Sequence, residues 1–219
     1  CIMPASSGSV KICGFDVFEQ ALEIRKIIGY LPETPPLYSD MVVYDYLSFA
    51  ARLRNVPLKN TQSAVEQVIE KCSLKEVSER IIGRLSKGYQ QRVGIAQAMI
   101  HNPDILILDE PTIGLDPIQI IEIRKLIQEL ALSHTIILSS HILPEITQIC
   151  KRVIIISDGQ IAAVDSLEAL TTRLRKGERL VLNVRRNSSE ILEKLRTLKK
   201  VNAVTEHQPA NYTIDCEPN

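Results

Sequence analysis

The chain has 219 residues, enough for one large domain or a domain with a small appendage. Hydrophobic residues make up 45% and charged residues 24%, and 26 basic side chains balance 26 acidic ones. That balance gives no general pull toward nucleic acid or anionic lipid, and no local basic patch replaces it, so no nucleic-acid partner is expected. Apolar runs such as Ile105–Leu108 and Val153–Ile156 are far too short to cross a bilayer and suit buried strands. Cys1, Cys13, Cys72, Cys150 and Cys216 are scattered and never spaced as a metal-binding pair, the usage of reduced thiols in a cytosolic protein.

In chain order, Pro4-Ala5-Ser6-Ser7-Gly8 reads as a turn already inside a domain. Ser9–Cys13 alternates polar and apolar residues like a short half-buried strand, and Ile27–Leu31 is another, stopped by Pro32. Pro35-Pro36 marks a loop. Helical periodicity follows over Val42–Arg54 and over Thr61–Cys72, where Val65, Val68, Ile69 and Cys72 share one face. Ser86–Ile100 is a third helix with Ser86 placed as its N-cap. Ile105–Leu108 is then an aliphatic run, followed by a helix over Ile118–Leu130 and two further runs, Thr135–Leu138 and Val153–Ile156. Asp158-Gly159 is a hairpin signal leading into Gln160–Val164. Continuous aliphatic strands separated by helices predict a parallel sheet buried on both faces. From about Ser166 a small α+β tail is expected: a helix, a strand over Arg179–Val184, a helix over Ser189–Leu198 and two weak strands. The close on Glu217-Pro218-Asn219 and the opening at Cys1 both read as truncations.

The run Ile105–Leu108 ends in Asp109-Glu110-Pro111-Thr112, so two carboxylates emerge at the C-terminal end of a buried strand, where open α/β sheets place their ligands. Asp109 suits the water shell of a magnesium ion, and Glu110 suits a general base for an attacking water. Taken alone, a strand ending in two solvated acids explains the pattern as well. Upstream, Leu85-Ser86-Lys87-Gly88-Tyr89-Gln90-Gln91-Arg92 opens the third helix, and its free amides at the positive helix end suit a phosphate. Downstream lie the turn Gly114-Leu115-Asp116-Pro117 and Ser139-Ser140-His141, the latter at the same sheet edge as the two acids.

In this order the four features resemble the nucleotide-binding domain of ABC transporters: a helix opening like the LSGGQ signature, a strand ending in Asp-Glu, a Leu-Asp turn and a strand ending in His. The resemblance covers about Ser6 to Val164, and the tail looks like the C-terminal extension of bacterial ABC-2-type exporters, including the gliding-motility-associated group. It implies an α/β, P-loop NTPase-like core over residues 1–34 and 101–165, an all-helical signature subdomain over residues 35–100, and a small α+β extension over residues 166–219. It also implies ATP and Mg2+ as cofactors, a head-to-tail dimer with a second ATP-binding subunit, and a separate integral membrane permease on whose cytoplasmic face the subunit sits. Ser86, Lys87 and Gly88 would face the nucleotide of the partner subunit, and Asp116 would link the two sites. Asp109 would position magnesium, Glu110 would orient or deprotonate the water, and His141 would contact the γ-phosphate. Glu33 stands where the family usually has Gln and would sense magnesium and water. Leu37 and Tyr38, beside the Glu33 loop, would contact a short helix of the permease.

The sequence departs from the family at Lys87, which replaces a signature Gly, and at Tyr89, which replaces a Gln. It contains no G-x-x-x-x-G-K-[ST] run, so residues 1–219 alone are expected to hydrolyse ATP poorly. Two other readings remain open at this point: an ABC-type ATPase without a membrane partner, and a catalytically inactive interaction module.

Overall fold

Three strands run parallel and bring their C-terminal ends level. In a computed structural model that describes residues 3–166, 169, 178–184, 189–208 and 211–216, β3 (Ile28–Leu31), β4 (Ile105–Asp109) and β5 (Thr135–Ser139) form one sheet with β4 in the centre. Leu31 pairs with Leu108, Leu108 with Leu138 and Asp109 with Ser139, so whatever follows each strand arrives at one edge. Leu106 and Leu108 of β4 are wholly buried, each worth about 1.5–3 kcal/mol of apolar burial. Burial on both faces, expected from the aliphatic runs, is only partly reached: β4 buries Leu106 and Leu108 and half-buries Ile105 and Ile107 on its other face, whereas β5 exposes Thr135, Ile137 and Ser139 on one face.

Before the sheet, β1 (Lys11–Ile12) and β2 (Phe15–Asp16) form a small antiparallel hairpin. The turn through Cys13 and Gly14 is left-handed (φ 49° and 85°), which cuts short the strand expected over Ser9–Cys13. Helix α1 (Ala21–Ile27) follows, with Ile24 buried.

The helical insertion comprises α2 (Val43–Leu53), α3 (Leu58–Lys71) and α4 (Lys87–Met99). The first two each bury one stripe: Val43, Tyr46, Leu47, Ala50 and Ala51 on α2, and Val65, Val68 and Ile69 on α3. The buried residues of α4 instead run almost continuously from Val93 to Met99. Two glycines allow α4 to press onto the sheet. A Cβ on Gly29 of β3 would lie 2.1 Å from the Ala98 carbonyl oxygen, and one on Gly94 would lie 2.7 Å from Leu31 Cδ1. Cys72, sealed under this packing, has its thiol pKa pushed up to about 12 by burial, as an inert core residue should. Beyond β4, α5 (Pro117–Leu130) buries Ile123, Leu126, Ile127 and Leu130, and α6 (Leu143–Ile149) follows β5.

By internal contacts the chain divides into Cys1–Cys150 and Lys151–Asn219. In the second unit, β6 (Arg152–Ser157) and β7 (Gln160–Ser166) form an antiparallel hairpin across Asp158 and Gly159, both at positive φ. The third aliphatic run therefore does not join the parallel sheet. Its backbone bonds go to its own hairpin partner, and Ile154 and Ile156 are exposed. Strands β8 (Glu178–Asn183), β9 (Val201–Gln208) and β10 (Asn211–Cys216) form a separate antiparallel sheet in the order β8-β10-β9, accompanied by a helix over Ser189–Arg196. The helix expected directly after Ser166 lies outside the described residues, apart from residue 169.

Candidate functional site

The C-terminal edge of β4 and β5 gathers four polar side chains. Ser139 Oγ donates to Asp109 Oδ1 at 2.5 Å and accepts from the Glu110 amide at 3.1 Å, and the same amide reaches the Ser139 carbonyl at 3.2 Å. Glu110 sits in the left-handed region (φ 45°), a backbone strain that non-glycine residues hold only when their surroundings impose it. That conformation turns the chain out of the strand and directs the Glu110 carboxylate toward the segment after β5.

There it meets His141. Glu110 Oε1 accepts from the His141 backbone amide at 2.9 Å and lies 2.8 Å from His141 Nδ1. The hydrogen bond to Glu110 and then the Glu110 charge raise the His141 pKa above the ordinary histidine value, with Glu145 and Glu33 adding to the field. Glu33 itself is exposed, two residues past the end of β3 and therefore at the same edge. Asp109, Glu110, His141 and Glu33 are thus brought together. The carboxylate donors at this edge suit a hard cation that keeps most of its waters; among the described residues no group of three or more His, Cys, Asp or Glu could cage a metal by itself.

The other expected residues form a second group. Ser86 caps α4, accepting from the Tyr89 amide at 3.4 Å, and Asp116 caps α5, accepting from the amides of Ile118 and Gln119 at 3.0 and 2.9 Å. Ser86, Gly88 and Asp116 line one cleft of about 800 Å³, and none of Asp109, Glu110, His141 and Glu33 lines it. Gly88 is closely covered, since a Cβ there would stand 2.7 Å from Gln119 Cδ and Gln119 would have to swing aside. Lys87 extends over the following turn, so that a Cβ on Gly114 (φ 68°) would meet its Nζ at 2.1 Å. The cation that departs from the family pattern is therefore laid along the turn that leads to Asp116.

Near Glu33, Tyr46 is buried and its hydroxyl donates to the Pro36 carbonyl at 3.2 Å. Tyr38 packs edge-on against Tyr46 and Phe49, with ring centroids 6.0 and 5.7 Å away, yet stays 51% exposed. Sequence reasoning missed Ser139 as the holder of Asp109, Gln119 over Gly88, and a buried contact of Thr112 with Glu145. Only Ser139 carried a signal, as the last residue of the strand that ends in His141.

The model of the family described as ABC transporter matches residues 2–113. The bacitracin transport ATP-binding protein BcrA of Bacillus licheniformis is 38% identical over 177 residues, which are 80% of this chain and 57% of that protein. The ABC transporter ATP-binding protein NatA of Bacillus subtilis (strain 168) is 35% identical over 77% of this chain and 70% of its own length. A solved structure of an ATP binding subunit of an ABC transporter superposes with a TM-score of 0.66 at 26% identity, covering 77% of this chain and 71% of that one. The chain thus spans little more than half the length of BcrA.

Proposed function

The chain belongs to the ABC transporter family of ATP-binding proteins, and from that premise we propose that it is the ATP-hydrolysing part of an ABC-2-type export subunit. The observation that carries this reading is the convergence of Asp109, Glu110, Ser139 and His141 at one sheet edge, with Glu110 and His141 2.8 Å apart. Asp109, steadied by the Ser139 hydroxyl, would hold the water shell of Mg2+, and Glu33 would face the same shell. When bound, the ion would offset the negative charge of the nucleotide phosphates. Glu110 orients the attacking water and takes its proton, using the carboxylate oxygen that His141 does not engage. His141, whose proton the Glu110 carboxylate favours, would present its ring to the terminal phosphate.

Ser86, Lys87, Gly88 and Asp116 serve the nucleotide of a second subunit in a head-to-tail dimer. Their grouping in a separate cleft supports this division of labour. The uncapped amides at the start of α4 and the Lys87 ammonium suit an anion brought by that partner. A G-x-x-x-x-G-K-[ST] loop is absent from the 219 residues, so the phosphates of the subunit's own nucleotide would need such a loop from outside them. β5, which among the described residues pairs on one side only and leaves Ile137 56% exposed, offers the edge for the strand that would carry it.

None of the described helices is long and apolar enough to cross a membrane. The likeness to transporter ATP-binding proteins supports a separate permease as partner, with the subunit on the cytoplasmic face of the cell membrane. Leu37 and the exposed Tyr38 ring are its docking point, and Glu33 couples that contact to the hydrolytic edge. The test is to express the subunit with its complete upstream coding sequence and compare it with residues 1–219. The complete subunit should show magnesium-dependent ATP turnover that Glu110→Gln abolishes, and the 219 residues alone should show little. Strong turnover by residues 1–219, indifferent to Glu110→Gln, would overturn the reading, and a complete subunit without turnover would mark an inactive module.

A further inference from the structure

The Glu110–His141 contact joins the exits of two strands at the surface, where His141 remains 67% exposed at its side chain. An exposed pair holds two loops together only weakly. One turn deeper the same two segments are tied again, out of water. Thr112, two residues after Glu110, donates its hydroxyl to Glu145 Oε2, and both residues are 3% exposed. Glu145 lies in the first turn of α6, four residues after His141. Its other oxygen stands 3.9 Å from Arg124 Nη2 of α5, and Arg124 Nη1 donates to Gln148 Oε1 at 2.5 Å. Gln128 Nε2 adds a bond to the Gln148 carbonyl at 2.9 Å, so α5 grips α6 at two successive turns.

A carboxylate this deeply buried is costly unless both oxygens have partners. Its only good arrangement requires the Thr112 segment and α6 to keep one spacing. Thr112 is in turn fixed from below: Ile113 donates to the Glu110 carbonyl at 3.1 Å and Leu115 to the Thr112 carbonyl at 3.3 Å. The stretch from Glu110 to Leu115 is thus closed by its own turn hydrogen bonds, and the Glu145 amide, donating to the Ile142 carbonyl at 3.0 Å, closes the stretch from His141 into α6.

We infer that Glu145 is a positioning residue: through Thr112 on one side and Arg124 on the other, it sets the separation of Glu110 and His141. The inference rests on the reading of Glu110 and His141 as the hydrolytic pair. Because Asp116 caps α5, the Arg124–Glu145 contact also ties the cleft holding Ser86, Gly88 and Asp116 to the helix that follows His141.

The experiment uses the complete subunit with Thr112→Val, which keeps size and removes only the hydroxyl, and Thr112→Ser, which restores it. The first readout needs no nucleotide: the His141 ring titration followed by NMR. It should lie above the ordinary histidine range in the wild type and in Thr112→Ser, and return toward that range in Thr112→Val. The second is steady-state turnover, where Thr112→Val should lower kcat about a hundredfold, the usual cost of a misplaced catalytic group, with KM little changed. An unshifted His141 titration with wild-type kcat in Thr112→Val overturns the inference. So does a Thr112→Ser variant that loses both. If Thr112→Val does not fold, Glu145→Gln is read by kcat against KM, and wild-type kcat there overturns it equally. A protein in which the titration moves but Glu110→Gln leaves turnover intact has the positioning right and the hydrolytic reading wrong.

Discussion

His141 donates its backbone amide to Glu110 Oε1 at 2.9 Å while its ring Nδ1 lies 2.8 Å from the same oxygen. The double contact leaves the second Glu110 oxygen as the one able to meet a water. In the complete subunit, Glu110→Gln should therefore lower kcat by about 10²–10⁴-fold, the usual scale for losing a general base. Nucleotide binding should survive, and the ATP-bound dimer should accumulate on size-exclusion chromatography. A Gln variant with wild-type turnover would remove Glu110 from the chemistry.

The same contact has a pH signature. The folded-state pKa of His141 is raised, first by the hydrogen bond its ring donates to Glu110 and then by the Glu110 charge. The stabilisation this pair contributes is thus fully present below the unfolded histidine value, about 6.5, and is lost as pH rises through the higher folded value. The difference in melting temperature between wild type and Glu110→Gln should be largest at acid pH and shrink as the medium becomes alkaline. A difference that grows with pH would contradict the assignment.

Gly88 offers a packing test. A Cβ there would stand 2.7 Å from Gln119 Cδ, at the far end of a flexible side chain. Gly88→Ala alone should displace Gln119 and distort the opening of α4, and pairing it with Gln119→Ala should recover most of the loss. Thermal melts of the single and double variants measure the coupling. Additive effects would mean that the two residues do not share the space.

Leu37→Ala with Tyr38→Ser should leave the ATPase of the isolated subunit within about twofold of wild type, since Tyr38 is half exposed and reaches only Tyr46 and Phe49 among the rings. Co-purification with the permease and export should both fall. Intact complex formation would assign these residues to local packing.

Much of this was legible from local pattern. Ser86 announced α4 because a serine cap is a local device, and the Asp109-Glu110 edge followed from an aliphatic run with acids at its end. Helices α1 and α6 escaped notice because neither is capped by a side chain and each has only 7 residues, too few for periodicity to speak. The Val153–Ile156 run misled because an aliphatic string has the same composition whether its partner is parallel or antiparallel. Thr112 with Glu145, and Gly88 with Gln119, stand 33 and 31 positions apart. No sequence period reports a hydrogen bond or a van der Waals stop across such a distance.

The unpaired rim of β5 has a practical side. Among the described residues no strand pairs with the outer side of β5, and that row of backbone donors and acceptors beside an exposed Ile137 is a template for any extended segment, including the same rim of another molecule. The 26 positive and 26 negative charges cancel, so no long-range repulsion keeps two such molecules apart. Residues 1–219 made alone should therefore self-associate near neutral pH, with light scattering rising steeply with concentration. A charge at the rim, Ile137→Lys, should restore a dispersed solution by making edge-to-edge approach repulsive.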